Sequence, residues 1–172
     1  MTPPPTATVV AVRPGWGVDR GPGRTVADAM VTGVRLSGRD TTVGELRTLF
    51  RDEHVHAAVL VEDGVLLAVV DRADLEGTAA RDDDAALPLG RRRSRTVGPA
   101  VDLEQARHLM LATGRRRLAV VGDDGRFRGL LCLKRTLRGF CSDRDVRARS
   151  DGRRTRSDPA ATGTGPDSDH DH

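Results

Sequence analysis

One pattern occurs twice in this chain, and it restricts the available folds more than any other feature. "TVGELRTLFRDEH", residues 42–54, places Val43, Leu46, Leu49 and Phe50 at i, i+3, i+6 and i+7. "DLEQARHLMLATG", residues 102–114, does the same with Leu103, Ala106, Leu109 and Met110. Both spacings predict a helix with one apolar face. Thr42 and Asp102 are good N-caps, and Asp102 is followed by Gln105 in capping-box fashion. Gly114 suits the end of the second helix. After each helix come two apolar runs split by a turn. They are "AAVLV", Glu62-Asp63-Gly64 and "VLLAVV" in the first copy, and "LAVV", Gly122 to Gly125 and "FRGLLCL" in the second. Asp-Gly between apolar runs is a strong hairpin signal. Short strands at Val34–Leu36 and Arg95–Val97 precede the helices.

The expected fold class is therefore α/β (α+β), with two repeated β-α-β-β-α units related by a pseudo-twofold axis. The copies stand roughly 60 residues apart, and such doubled units bury their sheets against each other. The expected core includes Val59, Leu60, Val61, Val69, Val70, Ala119, Val120, Val121, Leu130 and Leu131.

The flanks read differently. Residues 1–24 carry Pro3-Pro4-Pro5, Pro14 and Pro22 without apolar periodicity, which predicts a flexible arm. Residues 143–172 form the predicted disordered tail; from about Ser150 scarcely an apolar side chain remains. Repeat 1 is assigned to 25–80 and repeat 2 to 81–142. Aromatics are only 2% of the 172 residues, so the core must be Val, Leu and Ala. The formal charge is +3, with Arg and Asp interspersed, which permits anionic partners without establishing one. No apolar run approaches the ~20 residues of a membrane span, and residues 1–17 lack the pattern of a signal peptide. Cys132 and Cys141 are too far apart for a C-x-x-C motif. Reduced thiols in a cytoplasmic protein are the simplest expectation.

The chain resembles a tandem pair of cystathionine-β-synthase-type (CBS) domains, a Bateman module, over about 115 of its 172 residues. "TVADAM", 25–30, is similar to that family's leading segment, and the order of the repeated elements matches. "LLAVVDRADL" and "RGLLCLKRTL" resemble its strand-exit motif, in which a Thr/Ser is followed three residues later by Asp. The resemblance implies a regulatory role without catalysis. It implies an adenosine-containing ligand such as AMP, adenosine or S-adenosylmethionine, held between the repeats. It also implies a homodimer, with output passing to an unidentified effector protein.

In the family the exit Thr/Ser helps hold phosphate and the Asp accepts from both ribose hydroxyls. Asp74 falls on that Asp position, and Asp71 replaces the Thr/Ser. The candidate first site is Asp71 and Asp74 with Leu36, Ala57 and Ala58. In the second copy Cys132 stands at the Thr/Ser position and Arg135 at the Asp position. With Leu118 these make a degenerate second site, whose Arg135 and Lys134 could face an anion. A carboxylate beside a phosphate is repulsive by about 1 kcal/mol or more at an effective dielectric near 20. Asp71 should therefore penalise phosphate, so adenosine or S-adenosylmethionine should bind at least as well as ATP.

Other readings stay open. Asp71 and Asp74 can serve a helix N-terminus with no ligand. The protein can be a dimerisation module with vestigial pockets. Arg91-Arg92-Arg93-Ser94-Arg95 and Arg115-Arg116-Arg117 are solvated surface or anion patches, and the lack of aromatic interleaving argues against a nucleic-acid partner. His54 and His56 share a strand face without further ligands, so no metal site is expected. His170 and His172 lie in an acidic tail, and Ser142 and Ser157 have no His/Asp constellation near them in sequence. Nothing in the pattern argues for an enzyme.

Overall fold

The structure, a computed structural model, describes residues 23–154, with side chains to residue 148. The expected arm at 1–24 therefore lies outside the described residues except for Gly23 and Arg24, as do residues 155–172 of the expected tail. The elements run α1 (Val26–Ala29), β1 (Leu36–Ser37), α2 (Val43–Leu49), β2 (Ala57–Glu62), β3 (Val65–Asp71) and α3 (Arg72–Glu76). A 3-10 turn at Leu87–Leu89 leads to β4 (Thr96–Val97), α4 (Leu103–Ala112), β5 (Arg117–Val121), β6 (Phe127–Cys132) and α5 (Asp143–Arg154). Two three-stranded sheets result, in the orders β1-β2-β3 and β4-β5-β6. In each, the first pair is parallel and the second is an antiparallel hairpin. A parallel pair needs a crossover, which α2 and α4 supply. The mixed α+β class and the twofold repeat are as expected.

Local chemistry sets these elements. At α2, Thr42 Oγ1 accepts from Glu45 N at 3.3 Å and Thr42 N donates to Glu45 Oε2 at 2.8 Å, a full capping box. At α4 the Asp102 carboxylate accepts from Glu104 N and Gln105 N at 3.0 and 3.1 Å, and the reciprocal Gln105 bond expected there is not made. Gly114 takes the left-handed conformation, φ 64°. Gly114 N donates to Leu111 O and Arg115 N to Met110 O, so α4 closes in a Schellman motif. The β2–β3 turn has Asp63 and Gly64 at φ 50° and 79°, the positive pair that a twisted two-residue hairpin requires.

The pseudo-twofold axis passes between the hairpins. Leu66 N donates to Gly125 O at 3.1 Å, and the equivalent bond runs from Phe127 N to Gly64 O at 2.9 Å. Val59, Leu66, Val69 and Ala119 form the core between the sheets, joined by partly buried Val61, Val121, Phe127 and Leu130. All ten expected core residues are buried or partly buried. Leu109 is a correction: it sits 47% exposed on α4. At 100° per residue it lies about a quarter-turn off the Leu103–Ala106–Met110 stripe.

Each helical core also borrows a segment from the other half. Val26, with Ala29 and Met30 beside it, packs among Leu103, Met110 and Leu131 of the second half. Ala86, Leu87 and Leu89 pack with Val43, Leu46 and Val70 of the first. The borrowed segments then pair with the sheets at equivalent places, Val31 with Leu130 and Arg91 with Val69. Two glycines permit the approach. A Cβ on Gly129 would meet Val31 O at 2.7 Å, and one on Gly90 would meet the Ala68 Cβ at 2.5 Å.

The second half departs from the expected unit after β6. No helix follows at Lys134 to Arg138. The chain turns back instead, pairing Leu133 with Phe140, and Leu137 takes φ 59°. Helix α5 then begins at Asp143, where a disordered tail was expected. Ser142 and Asp145 cap it reciprocally: Ser142 N donates to Asp145 Oδ2 at 2.9 Å and Asp145 N to Ser142 Oγ at 3.2 Å. Val146 anchors α5 beside Val31, Cys132 and Cys141.

Candidate functional site

The exit of β3 carries the predicted acidic pair. Ala57 on β2 pairs with Asp71, so Asp71 lies where the sheet meets α3. Asp71 is the N-cap of that helix and Asp74 its third residue, and Asp71 N donates to Asp74 Oδ2 at 2.8 Å. The helix-start reading of these aspartates is thus correct as local structure. The pair does more than cap.

Two arginines of the second half reach it. Arg95, just before β4, is 5% exposed and grips Asp74 with both terminal nitrogens, NH1 on Oδ2 and NH2 on Oδ1, the latter at 2.9 Å. Its NH1 also donates to Val69 O at 2.8 Å. Its Nε lies 3.2 Å from Asp71 Oδ2 but is poorly aligned for a hydrogen bond, so that contact is coulombic. Arg115 donates from NH1 to Asp71 Oδ2 at 2.9 Å. The Schellman turn ending α4 is what delivers Arg115 to this point. The result is a four-residue ion-pair network across the seam between repeats.

The charges follow the geometry. Burial acts to raise the Asp74 carboxyl, but the Arg95 hydrogen bonds, the Asp71 N–H and the charges of Arg95 and Arg91 together hold it below the ordinary range. The Asp74 hydrogen bond raises Arg95 against the opposing effect of burial. Nearby, His56 is lowered to about 4 by burial first, then by Arg117, Arg72, Arg116 and Arg135. It is neutral at pH 7 within a basic neighbourhood. Arg72 itself is held by Asp52 O and Val55 O.

The other predicted residues divide by strand alternation. Leu36 is 44% exposed at the same end of the first sheet, and Ala57 faces the seam. Ala58 points the other way, into the α2 core. Leu118 is likewise turned into the α4 core. Cys132 is buried against Cys141, and Arg135 is exposed in the turn after β6. The second set is therefore not assembled around one cleft. The residues of the network missed from sequence are Arg95 and Arg115. Arg95 and Arg115 were each hidden within an arginine run that otherwise reads as surface.

A cavity of about 770 Å³ lies elsewhere, between α1, the start of α4 and residues 138–143. It contains none of the predicted site residues. Among the described residues no group of three His, Cys, Asp or Glu side chains is placed to hold a metal, and no helix is long and apolar enough to cross a membrane.

Comparison with known proteins bears on the fold. Residues 89–141 match the family model of the CBS domain. A search of curated proteins returns no match to the sequence. Among solved structures, the chain is similar to CBSX2, a CBS-pair protein of Arabidopsis thaliana, solved in complex with AMP. That likeness has 24% identity and a TM-score of 0.56, covering 76% of this chain and 99% of that one. A CBS domain pair/ACT domain protein of Thermotoga maritima matches at 16% identity and TM-score 0.54, over 74% of this chain and 98% of that one. The cytosolic domain of the Mg²⁺ channel MgtE, solved with ATP, matches at 21% and 0.55, covering 64% of this chain and 46% of its own. At these identities the likeness is one of fold.

Proposed function

We propose that this chain, a tandem CBS-domain pair, is a regulatory module that binds one adenosyl ligand at the β3 exit, by exchange of ion-pair partners. The observation that carries this is the network of Asp71 and Asp74 with Arg95 and Arg115, which joins the repeats across the seam. A carboxylate offers about four acceptor positions. On Asp74, Oδ2 already serves the Asp71 N–H and Arg95, and Oδ1 serves Arg95. A ribose diol needs two acceptors, so Arg95 must release at least one. A ligand phosphate gives the displaced guanidinium a new charge-assisted partner.

This changes the expectation for phosphate. Asp71 alone would repel it, but Arg95 at 3.2 Å and Arg115 at 2.9 Å offset that charge. AMP should therefore bind better than adenosine, which offers the arginines nothing. The AMP and ATP in the CBSX2 and MgtE structures support the ligand class. A homodimer belongs to the same reading: α4 leaves Leu109 and Leu111 exposed, a surface that a second copy or an effector protein can cover.

One observation favours a second reading. Asp74 is fully engaged by an arginine only 5% exposed, so the network can be a structural clasp over a vestigial pocket. Thermal melting with adenosine, AMP, S-adenosylmethionine and ATP, at low and high salt, separates the two. A ligand at about 100 times its Kd adds about 2.7 kcal/mol to the folded state. The proposal predicts a larger shift with AMP than with adenosine. No shift with any of the four supports the clasp. A salt-sensitive shift with any polyanion points to the arginine runs instead.

A further inference from the structure

The turn after β6 brings together the chain's two cysteines. Leu133 pairs with Phe140 across an antiparallel bridge, which sets Cys132 opposite Cys141. Cys141 N donates to Cys132 O at 2.7 Å, and Lys134 N to Gly139 O at 2.7 Å. Directly opposed residues in such a ladder have Cα atoms about 4.5–5.5 Å apart, within the span a disulfide bridges. The side chains meet as well: the two thiol sulfurs lie 2.9 Å apart, at 7% and 5% exposure. That is well inside ordinary sulfur–sulfur contact and roughly 0.9 Å from a bond.

A second observation concerns access. Cys141 lines the cavity of about 770 Å³, together with Arg138, Gly139 and Phe140, whereas Cys132 does not. The two thiols are thus unequal. Both residues are nearly buried, Cys132 at 7% and Cys141 at 5% exposure, so what separates them is that Cys141 borders this space.

We propose that Cys132 and Cys141 form a reversible intramolecular disulfide, with Cys141 as the thiol that meets the oxidant. The oxidant class is a low-molecular-weight disulfide, R–S–S–R. The Cys141 thiolate attacks one sulfur, forming Cys141–S–S–R and expelling R–S⁻, which takes up the proton Cys141 gave to solvent. The Cys132 thiolate then attacks the Cys141 sulfur and expels the second R–S⁻, which is protonated in the same way. Two protein thiols are oxidised and one R–S–S–R is reduced to two R–SH. A dithiol reduces the Cys132–Cys141 bond back to two thiols and is itself oxidised to a disulfide.

The bond fastens what the turn carries. Residues 133–140 hold Lys134, Arg135 and Arg138, and α5 follows at once. Asp143 of α5 accepts from Thr32 N at 2.8 Å and Gly33 N at 3.0 Å, tying the segment to the borrowed strand at Val31. Oxidation therefore fixes the junction of β6, α5 and the N-terminal segment.

The test equilibrates the full chain with oxidised and reduced glutathione mixtures, then alkylates under denaturing conditions and weighs the intact protein. A chain denatured throughout serves as control. The expected result is two alkylatable thiols in the reduced protein and none in the oxidised one. The crosslink maps within a single chain and is reversed by dithiothreitol, at a less oxidising poise than the denatured chain requires. Cys132→Ser should keep a stable glutathione adduct on Cys141, while folded Cys141→Ser takes up none. A folded parent that stays alkylatable where the denatured chain is oxidised overturns the proposal, as does a crosslink between chains. An adduct on Cys132 in Cys141→Ser overturns the assignment of Cys141 as the first thiol.

Discussion

Replacing Arg95 with alanine tests the seam network. The substitution removes both bonds to Asp74, the bond to Val69 O and the 3.2 Å contact with Asp71. Asp74 would be left with the Asp71 N–H alone, its side chain 16% exposed. Removing one partner of a fully buried ion pair costs about 3–5 kcal/mol. Asp74 is not fully buried and water can reach it, so about 2–4 kcal/mol is expected. Urea unfolding at pH 7 measures this directly. Acid provides a second check. In the parent the Asp74 carboxyl is depressed, so its contribution is present above the unfolded pKa and lost as pH falls through the folded one. In Arg95→Ala the Arg95 hydrogen bonds and charge are gone, while burial, the Asp71 N–H and the Arg91 charge remain, so the Asp74 carboxyl is less depressed than in the parent. The variant therefore loses less stability in acid than the parent, and the gap between the proteins narrows as pH falls below about 4, through the depressed range of the parent's Asp74. A loss below about 1 kcal/mol, or a gap that does not narrow in acid, refutes the reasoning.

Three more outcomes follow from the geometry. His56 should titrate near 4 by NMR; because it folds neutral, stability is full above its unfolded pKa and falls as pH drops from about 6.5 to 4, and His56→Gln should remove that portion. Leu66→Ala, in the core between the sheets, should cost about 2–5 kcal/mol in urea, still in one transition because each core borrows from the other half; two separated transitions would contradict the exchange. Gly129→Ala should weaken the Val31–Leu130 pairing and speed amide exchange at Val31, since the added Cβ meets Val31 O at 2.7 Å; unchanged exchange there would count against the close approach.

Much of the fold was legible because it rests on short-range rules. The helical stripes, the Thr42 and Asp102 caps and the Asp-Gly turn each depend on neighbours within a few residues. That the segments are exchanged was not legible: "TVADAM" stood out by resemblance, but Val26 to Val31 and Ala86 to Arg91 have no period that says which half's core they join. The start of α5 did carry a signal, the Ser142–Asp145 capping pair, masked by polar composition. At the site, Asp71 and Asp74 were found through their place at a strand exit. Their partners were not, because a buried Arg95 looks like its exposed neighbours until the β4 register turns it inward. Ala58 and Leu118 were placed one residue off the strand face that meets the seam. The cysteine pair escaped because the return of the chain, and not spacing in sequence, opposes the two thiols.

The central claim, one adenosyl ligand held by Asp74 through partner exchange, is tested most directly by isothermal calorimetry with AMP on the parent, Asp74→Asn and Arg135→Ala. The account predicts one AMP per chain. Asp74→Asn should weaken binding by about 1.5–3 kcal/mol, or one to two decades in Kd, while Arg135→Ala changes it little. Two AMP per chain, binding indifferent to Asp74→Asn, or no binding by the parent would contradict it.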